Sequence, residues 1–214
     1  MSHKTFPRRD FLKTAGITLG ASALVCSGLG YAATLSPEPA PPEFIYGKEN
    51  TTNKHILVTY ATRAGSTVEV AAAIGETLAQ RGFSVDVKPS KEKPRVDGYD
   101  AVLVGSAIRR GHWLPEAVKF IENNQSRLSQ IPTAFFTVHI GNTGEDEKSR
   151  TARLSYLDTV RPLLKPVDEI YFAGKMDLSR LSFLDRSIVE ARGAVDEDLR
   201  DWSAIRGWAQ TVLA

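Results

Sequence analysis

The stretch HILVTYATRAGSTVEVAAAI, residues 55–74, decides how this 214-residue chain is read. His55 to Tyr60 is a short, mostly apolar run with β-branched residues, the pattern of a strand buried on both faces. Val70, Ala71, Ile74 and Leu78 share one face of a helix expected over Thr67 to Arg81, with Gly82 just past its end. Between strand and helix lies Thr62-Arg63-Ala64-Gly65-Ser66-Thr67, which carries three hydroxyls and a glycine. Amides turned inward in such a loop, backed by the positive end of a helix, form a nest suited to a phosphate monoester. An N-cap is the simpler use of Ser or Thr before a helix. A cap needs one hydroxyl, however, and this loop offers three directly after a buried strand.

The rest of the body repeats the alternation. Strands are expected at Phe83–Lys88, Ala101–Ser106, Thr133–Val138 and Val167–Ala173. Helices are expected at Leu114–Leu128, with Pro115 in its first turn, at Ser149–Leu164, and at Arg200–Leu213, where Trp202, Ile205, Trp208 and Ala209 follow helical spacing. Strands of five to seven residues alternating with helices imply an α/β fold. Right-handed crossovers make it a doubly wound sheet of five parallel strands, order 2-1-3-4-5, with helices on both faces. Ligands in such sheets sit outside the carboxyl ends of the strands where the winding reverses. The loops after Tyr60, Ser106 and Val138 are therefore the candidates for a site.

Val58, Tyr60, Thr62, Gly65, Thr67, Ala71 and Ile74 match the FMN-phosphate signature of the flavodoxins position by position. Only Thr59 departs, where an aliphatic or aromatic residue is usual. The chain from about His55 onward thus resembles the flavodoxin-like family. The resemblance implies FMN as cofactor, with its phosphate held by residues 62 to 67.

The second loop, Gly105-Ser106-Ala107-Ile108-Arg109-Arg110-Gly111-His112-Trp113, would by this resemblance run beside the isoalloxazine ring. Ser106, Ala107, Ile108, Arg109, Gly111 and Trp113 are its candidate contacts. Gly105 and Gly111 permit close backbone approach. Trp113 either stacks on the flavin or packs at the start of the next helix. Arg109 and Arg110 either meet an acidic partner or are simply solvated, and His112 is a candidate proton donor. The Ile-Arg-x-Gly-His run, Asp201-Trp202 at the last helix and the amphipathic stretch Leu181–Arg192 resemble the branch containing menaquinone-dependent protoporphyrinogen dehydrogenase. That branch implies a quinone or tetrapyrrole as possible partner, beside a redox partner protein. The third loop, His139 to Glu147, supplies His139, Gly141 and Asn142 as candidates for the other side of the ring. It then turns acidic at Glu145, Asp146 and Glu147. It lacks the tyrosine common in electron-carrier flavodoxins and departs from the longer, basic loop of the branch enzyme.

The head of the chain reads as an address. Arg8-Arg9-Asp10-Phe11-Leu12-Lys13 resembles the twin-arginine export motif, and Thr14 to Ala33 carries no charge. Small residues at Gly30-Tyr31-Ala32 suit cleavage after Ala32. The alternative is a retained anchor, since the apolar span is about long enough to cross a bilayer. Val25 before Cys26 suits a lipoprotein site poorly. The motif implies the twin-arginine translocase as an export partner and places the body in the periplasm or on the outer face of the cytoplasmic membrane. That route moves folded proteins and so favours a bound cofactor. Residues 33 to 53, with Pro37, Pro39, Pro41 and Pro42, read as a linker, leaving 54 to 214 as the domain.

Composition narrows the classes. Residues 1 to 32 hold a net +3, so the whole-chain +2 leaves −1 for the rest, and no basic field points to nucleic acid. The body has no cysteine, so no disulfide framework is expected there. There is no Gly-x-Ser-x-Gly elbow, no Gly-x4-Gly-Lys-Ser/Thr loop and no paired metal-ligand spacing. Two further functions stay beside the FMN redox protein. One is a protoporphyrinogen-dehydrogenase-like enzyme; the other is a flavodoxin-fold binding module without flavin.

Overall fold

The computed structural model describes residues 42–49, 54–191 and 193–213. The stretch that resembles the twin-arginine motif, the expected cleavage position and Cys26 lie outside them. Five parallel strands form the centre: β2 (His55–Ala61), β3 (Ser84–Pro89), β4 (Ala101–Arg109), β6 (Thr133–His139) and β7 (Asp168–Ala173). They run β3-β2-β4-β6-β7 across the sheet, which is the expected order 2-1-3-4-5. Val58 pairs with Val87 on one side and Leu103 on the other, so β2 is central and its residues Ile56 to Ala61 are buried throughout.

Two features were not expected. Phe44–Tyr46, inside the stretch read as a linker, is a strand, β1, which pairs antiparallel with β3 and widens the sheet. Prolines on the N-terminal side of these three residues mask the strand pattern. The loop after β4 is also mostly hairpin. β4 continues to Arg109, the chain turns at Arg110 (φ 54°) and Gly111 (φ 83°), and β5 (His112–Trp113) pairs back. Two successive positive φ values mark a two-residue primed turn. Gly111 is therefore explained by its backbone angle, with open space around it, and not by close approach to a ligand.

Helices cover both faces. α1 (Ser66–Gln80) and α5 (Trp202–Thr211) lie on one, where Val70, Ile74 and Leu78 meet Ile205, Trp208 and Ala209. α2 (Pro115–Leu128) covers the other with Ala117, Phe120 and Ile121, beside Leu157 and Val160. Each buried Val, Leu, Ile or Phe side chain contributes about 1.5–3 kcal/mol by leaving water. α3 (Glu147–Ser155) stops well before the expected Leu164, and turns carry the chain onward. Pro162 bars a helix running on to Leu164, because its ring meets the carbonyl one turn back. Beyond β7 a small hairpin, β8 (Lys175–Met176) with β9 (Glu197–Asp198), carries the amphipathic helix α4 (Phe183–Glu190). Among the described residues no helix is long and apolar enough to cross a membrane.

Candidate functional site

The carboxyl ends of β2, β4 and β6 face the same edge of the sheet, and the loop after β2 leads directly into α1. Gly65 takes φ 87°, a left-handed conformation that side chains rarely adopt. This bends the loop so that Thr62 Oγ1 accepts from the Gly65 amide at 3.0 Å. The amides of Ser66 and Thr67, in the first turn of α1, have no carbonyl one turn back to bond within the helix. Thr67 is fully buried, and its Oγ1 has no hydrogen-bond partner. A buried hydroxyl left alone costs about 1–3 kcal/mol, so the position is unfavourable until something accepts from it. An ester phosphate oxygen seated at the loop would draw on the positive end of α1, and would satisfy this hydroxyl on opening it to the cleft.

A cleft of about 420 Å3 opens at this loop, walled by Thr62, Arg63, Ala64 and Gly65 and by the apolar faces of Phe44 and Tyr60. Arg63 reaches across it to Glu116 at the start of α2, 2.5 Å away. Ser66 and Thr67 lie at the loop's helical end. The cleft extends toward β1 and β3, so Phe44 and Glu116 belong to its surroundings although sequence reading passed over them.

The second loop differs from expectation at two positions. Trp113 is 3 % exposed; its Nε1 donates to Thr137 Oγ1 at 2.9 Å and its ring meets Phe135 edge-on at 5.2 Å. It is a core residue and has no free face for a flavin. Ser106 is fully buried, its Oγ accepting from the Leu114 amide and donating to the Ala107 carbonyl. It fixes the entry to α2 and has no hydroxyl to spare. Gly105 likewise serves packing, since a Cβ there would overlap the Phe136 ring. Ala107, Ile108 and Arg109 remain half-buried at the hairpin. Arg109 donates to both carboxylate oxygens of Asp185 at 2.9 and 2.6 Å, which fastens α4 to this loop. Burial raises the Asp185 carboxyl, but hydrogen bonds from Arg109 and Ser182 outweigh it and hold it below the usual carboxylate range.

The third loop is held by its own residues. His139 is buried, with Nδ1 2.7 Å from the Gly141 carbonyl. Asn142 takes φ 58° and donates to the Tyr156 hydroxyl at 2.8 Å, while Arg153 donates to the carbonyls of Asn142 and Gly144. Asp146 caps α3 by accepting from the Ser149 amide, and Glu145 pairs with Arg150. Two of the three acidic residues are thus used locally, Asp146 in capping and Glu145 in ion pairing.

The profile of the flavodoxin domain family matches residues 57–201. The chain belongs to that family. Two curated relatives carry the name protoporphyrinogen IX dehydrogenase (quinone). The protein of Escherichia coli K12 is 24% identical over 168 residues, covering 73% of this chain and 93% of its own length. That of Leishmania major is 28% identical over 176 residues, covering 74% of each. Among solved structures, a flavodoxin from the domain Archaea is 20% identical, covers 64% of this chain and 99% of its own, and superposes with a TM-score of 0.41. The Megasphaera elsdenii flavodoxin is 16% identical over 59% of this chain and 87% of its own, with a TM-score of 0.41.

Burial pushes the His139 imidazole down; the Gly141 carbonyl opposes this, and the nearby Arg153 charge adds to it. The net direction is downward, so the folded protein binds this proton less readily than the unfolded chain does. Stability from this group is present above the unfolded value of about 6.5 and falls as pH drops below it. Urea midpoints measured from pH 8 to pH 5.5 are expected to decline over the acid half of that range, and His139→Phe to flatten the decline. An equal decline in the variant assigns the effect elsewhere.

Proposed function

We propose that this flavodoxin-family chain is an FMN-binding redox protein. The observation that carries the reading is the buried, unpartnered Thr67 hydroxyl at the head of α1, beside a left-handed glycine and two amides left open by helix geometry. Thr62, Gly65, Ser66 and Thr67 hold the phosphate; the hairpin at Ala107–Arg109 and the loop at Gly141–Asn142 flank the ring. When bound, the flavin supplies one- or two-electron transfer, and the chain's part is to grip, orient and shield it. The twin-arginine motif at Arg8-Arg9 supports action outside the cytoplasm, at the outer face of the membrane or in the periplasm, after passage through the twin-arginine translocase.

A narrower reading rests on the relatives. Similarity to two proteins named protoporphyrinogen IX dehydrogenase (quinone) spans about three quarters of the chain. It supports an FMN-dependent oxidoreductase that takes electrons from a tetrapyrrole and passes them to a quinone. A redox partner protein in place of either is the electron-carrier form of the same proposal. Porphyrin formation with a quinone acceptor separates the two, and no turnover by the FMN-loaded protein leaves the carrier.

The first test is an absorption spectrum of the purified protein, expected to show flavin bands and to release FMN on denaturation. A colourless protein that also fails to bind added FMN ends the proposal. Thr67→Val sharpens it, because two measurements move in opposite directions. Without ligand the variant is expected to gain about 1 kcal/mol, since the orphaned hydroxyl is gone. Its FMN affinity is expected to fall about tenfold or more, since a charge-assisted bond is lost. Chemical denaturation and flavin-fluorescence titration read the two effects.

A further inference from the structure

Arg180 stands far from the phosphate loop in sequence, yet its side chain ends on it. It closes the 3-10 turn Leu178–Arg180, between β8 and α4. A Cβ built on Gly65 would lie 2.6 Å from Arg180 Nη1 and 3.8 Å from its Cζ. The guanidinium therefore occupies the space that a side chain at position 65 would take, on the wall of the cleft that Thr62 also lines. Asp177 lies 3.3 Å from Nε, on the stem side of the group. Among the described residues Nη1 donates no hydrogen bond to any acceptor. The loop's own cation, Arg63, is turned to Glu116 instead.

The segment bearing Arg180 is fastened at several points. Asp177 accepts from the Ser179 amide and hydroxyl, and the Leu178 amide donates to Asp196 Oδ1 at 2.7 Å. Asp185 holds Arg109, so the same segment touches the loop after β2 through Arg180 and the hairpin after β4 through Asp185. It spans the two loops between which the proposed ligand lies.

We propose that Arg180 is the side chain that reads the charge of the cofactor's phosphate, and that through it residues 177 to 190 clasp FMN and discriminate it from riboflavin. The inference rests on the FMN reading above and deepens it. A phosphate at the head of α1 faces the Nη1 group across Gly65, where a guanidinium forms short, directional bonds to phosphate oxygens. Arg180 is about half exposed, so solvent and salt screen the bond and keep its effect moderate.

The test is calorimetric titration of the full-length protein with FMN and with riboflavin, at low and raised salt. Arg180→Ala is expected to weaken FMN about tenfold while riboflavin changes by no more than about twofold. Arg180→Lys, which keeps the charge and loses the fork, is expected to fall between. The gap between native protein and Arg180→Ala should narrow as salt rises. FMN affinity untouched by Arg180→Ala overturns the inference and leaves the FMN reading standing. Equal weakening of both ligands also overturns it, by assigning Arg180 to packing of the segment. A native protein that binds neither ligand removes the FMN reading and this inference together.

Discussion

Trp113→Ala is expected to cost about 3–5 kcal/mol of folding stability, the range for deleting a buried aromatic side chain. The indole is enclosed by Phe135 and the α2 layer, and its N–H is spent on Thr137. Truncation leaves a large void and an unpaired buried hydroxyl at Thr137, and both penalties act in the same direction. Trp113→Phe keeps a ring and loses mainly the hydrogen bond, so its cost should be markedly smaller. Urea denaturation of the two variants checks the ranking. A Trp113→Ala variant of near-native stability that has lost flavin would contradict the core placement and restore the indole to the ligand.

Gly105→Ala is expected to cost about 3 kcal/mol although it adds a single methyl group. Gly105 lies in β4 between Tyr60 of β2 and Phe136 of β6, and three atoms of the Phe136 ring occupy the space its Cβ would need. Phe136 is fully buried, with Trp208 6.3 Å from it centroid to centroid, so the ring has little room to retreat. Overpacking of a filled core typically costs about 1–3 kcal/mol, and a ring held from behind places this site at the upper end. Shrinking the opposing side chain should relieve the clash. The double variant Gly105→Ala, Phe136→Leu is expected to be more stable than the sum of its single effects allows, and a thermodynamic cycle measures that coupling. Strict additivity would show that the two positions do not share the space.

The five parallel strands and their order were legible because each strand is a short apolar run and each helix shows one apolar face. What escaped was decided by pairing rather than by local pattern. Phe44-Ile45-Tyr46 is too short to stand out behind its prolines, and it becomes a strand only because Val85 and Val87 offer it an edge. The Arg110-Gly111 turn carries a signal, an X-Gly pair flanked by Ile108 and Trp113, but the same run of glycines and polar residues also fits a ligand loop. The hydroxyls and glycine at 62 to 67 advertised an anion nest through local chemistry alone. Arg180 could not be found that way, since its place over Gly65 depends on how a distant hairpin folds back. The burial of Ser106 and Trp113 also needed three dimensions, because a strand-to-helix junction looks alike in sequence whether its side chains point inward or out.

β1 guards one margin of the sheet. A parallel sheet whose outermost strand is bare presents a row of unpaired amides and carbonyls, a template on which other chains assemble. Phe44–Tyr46 covers β3 on that margin, and Tyr46 packs near Gly75 of α1, where a Cβ would lie 2.6 Å from Val87 and 3.2 Å from the Tyr46 ring. A fragment begun at Lys54, the boundary that the phosphate signature suggests, would keep the whole nest yet strip this guard. It would be prone to self-association for a reason unrelated to its redox chemistry.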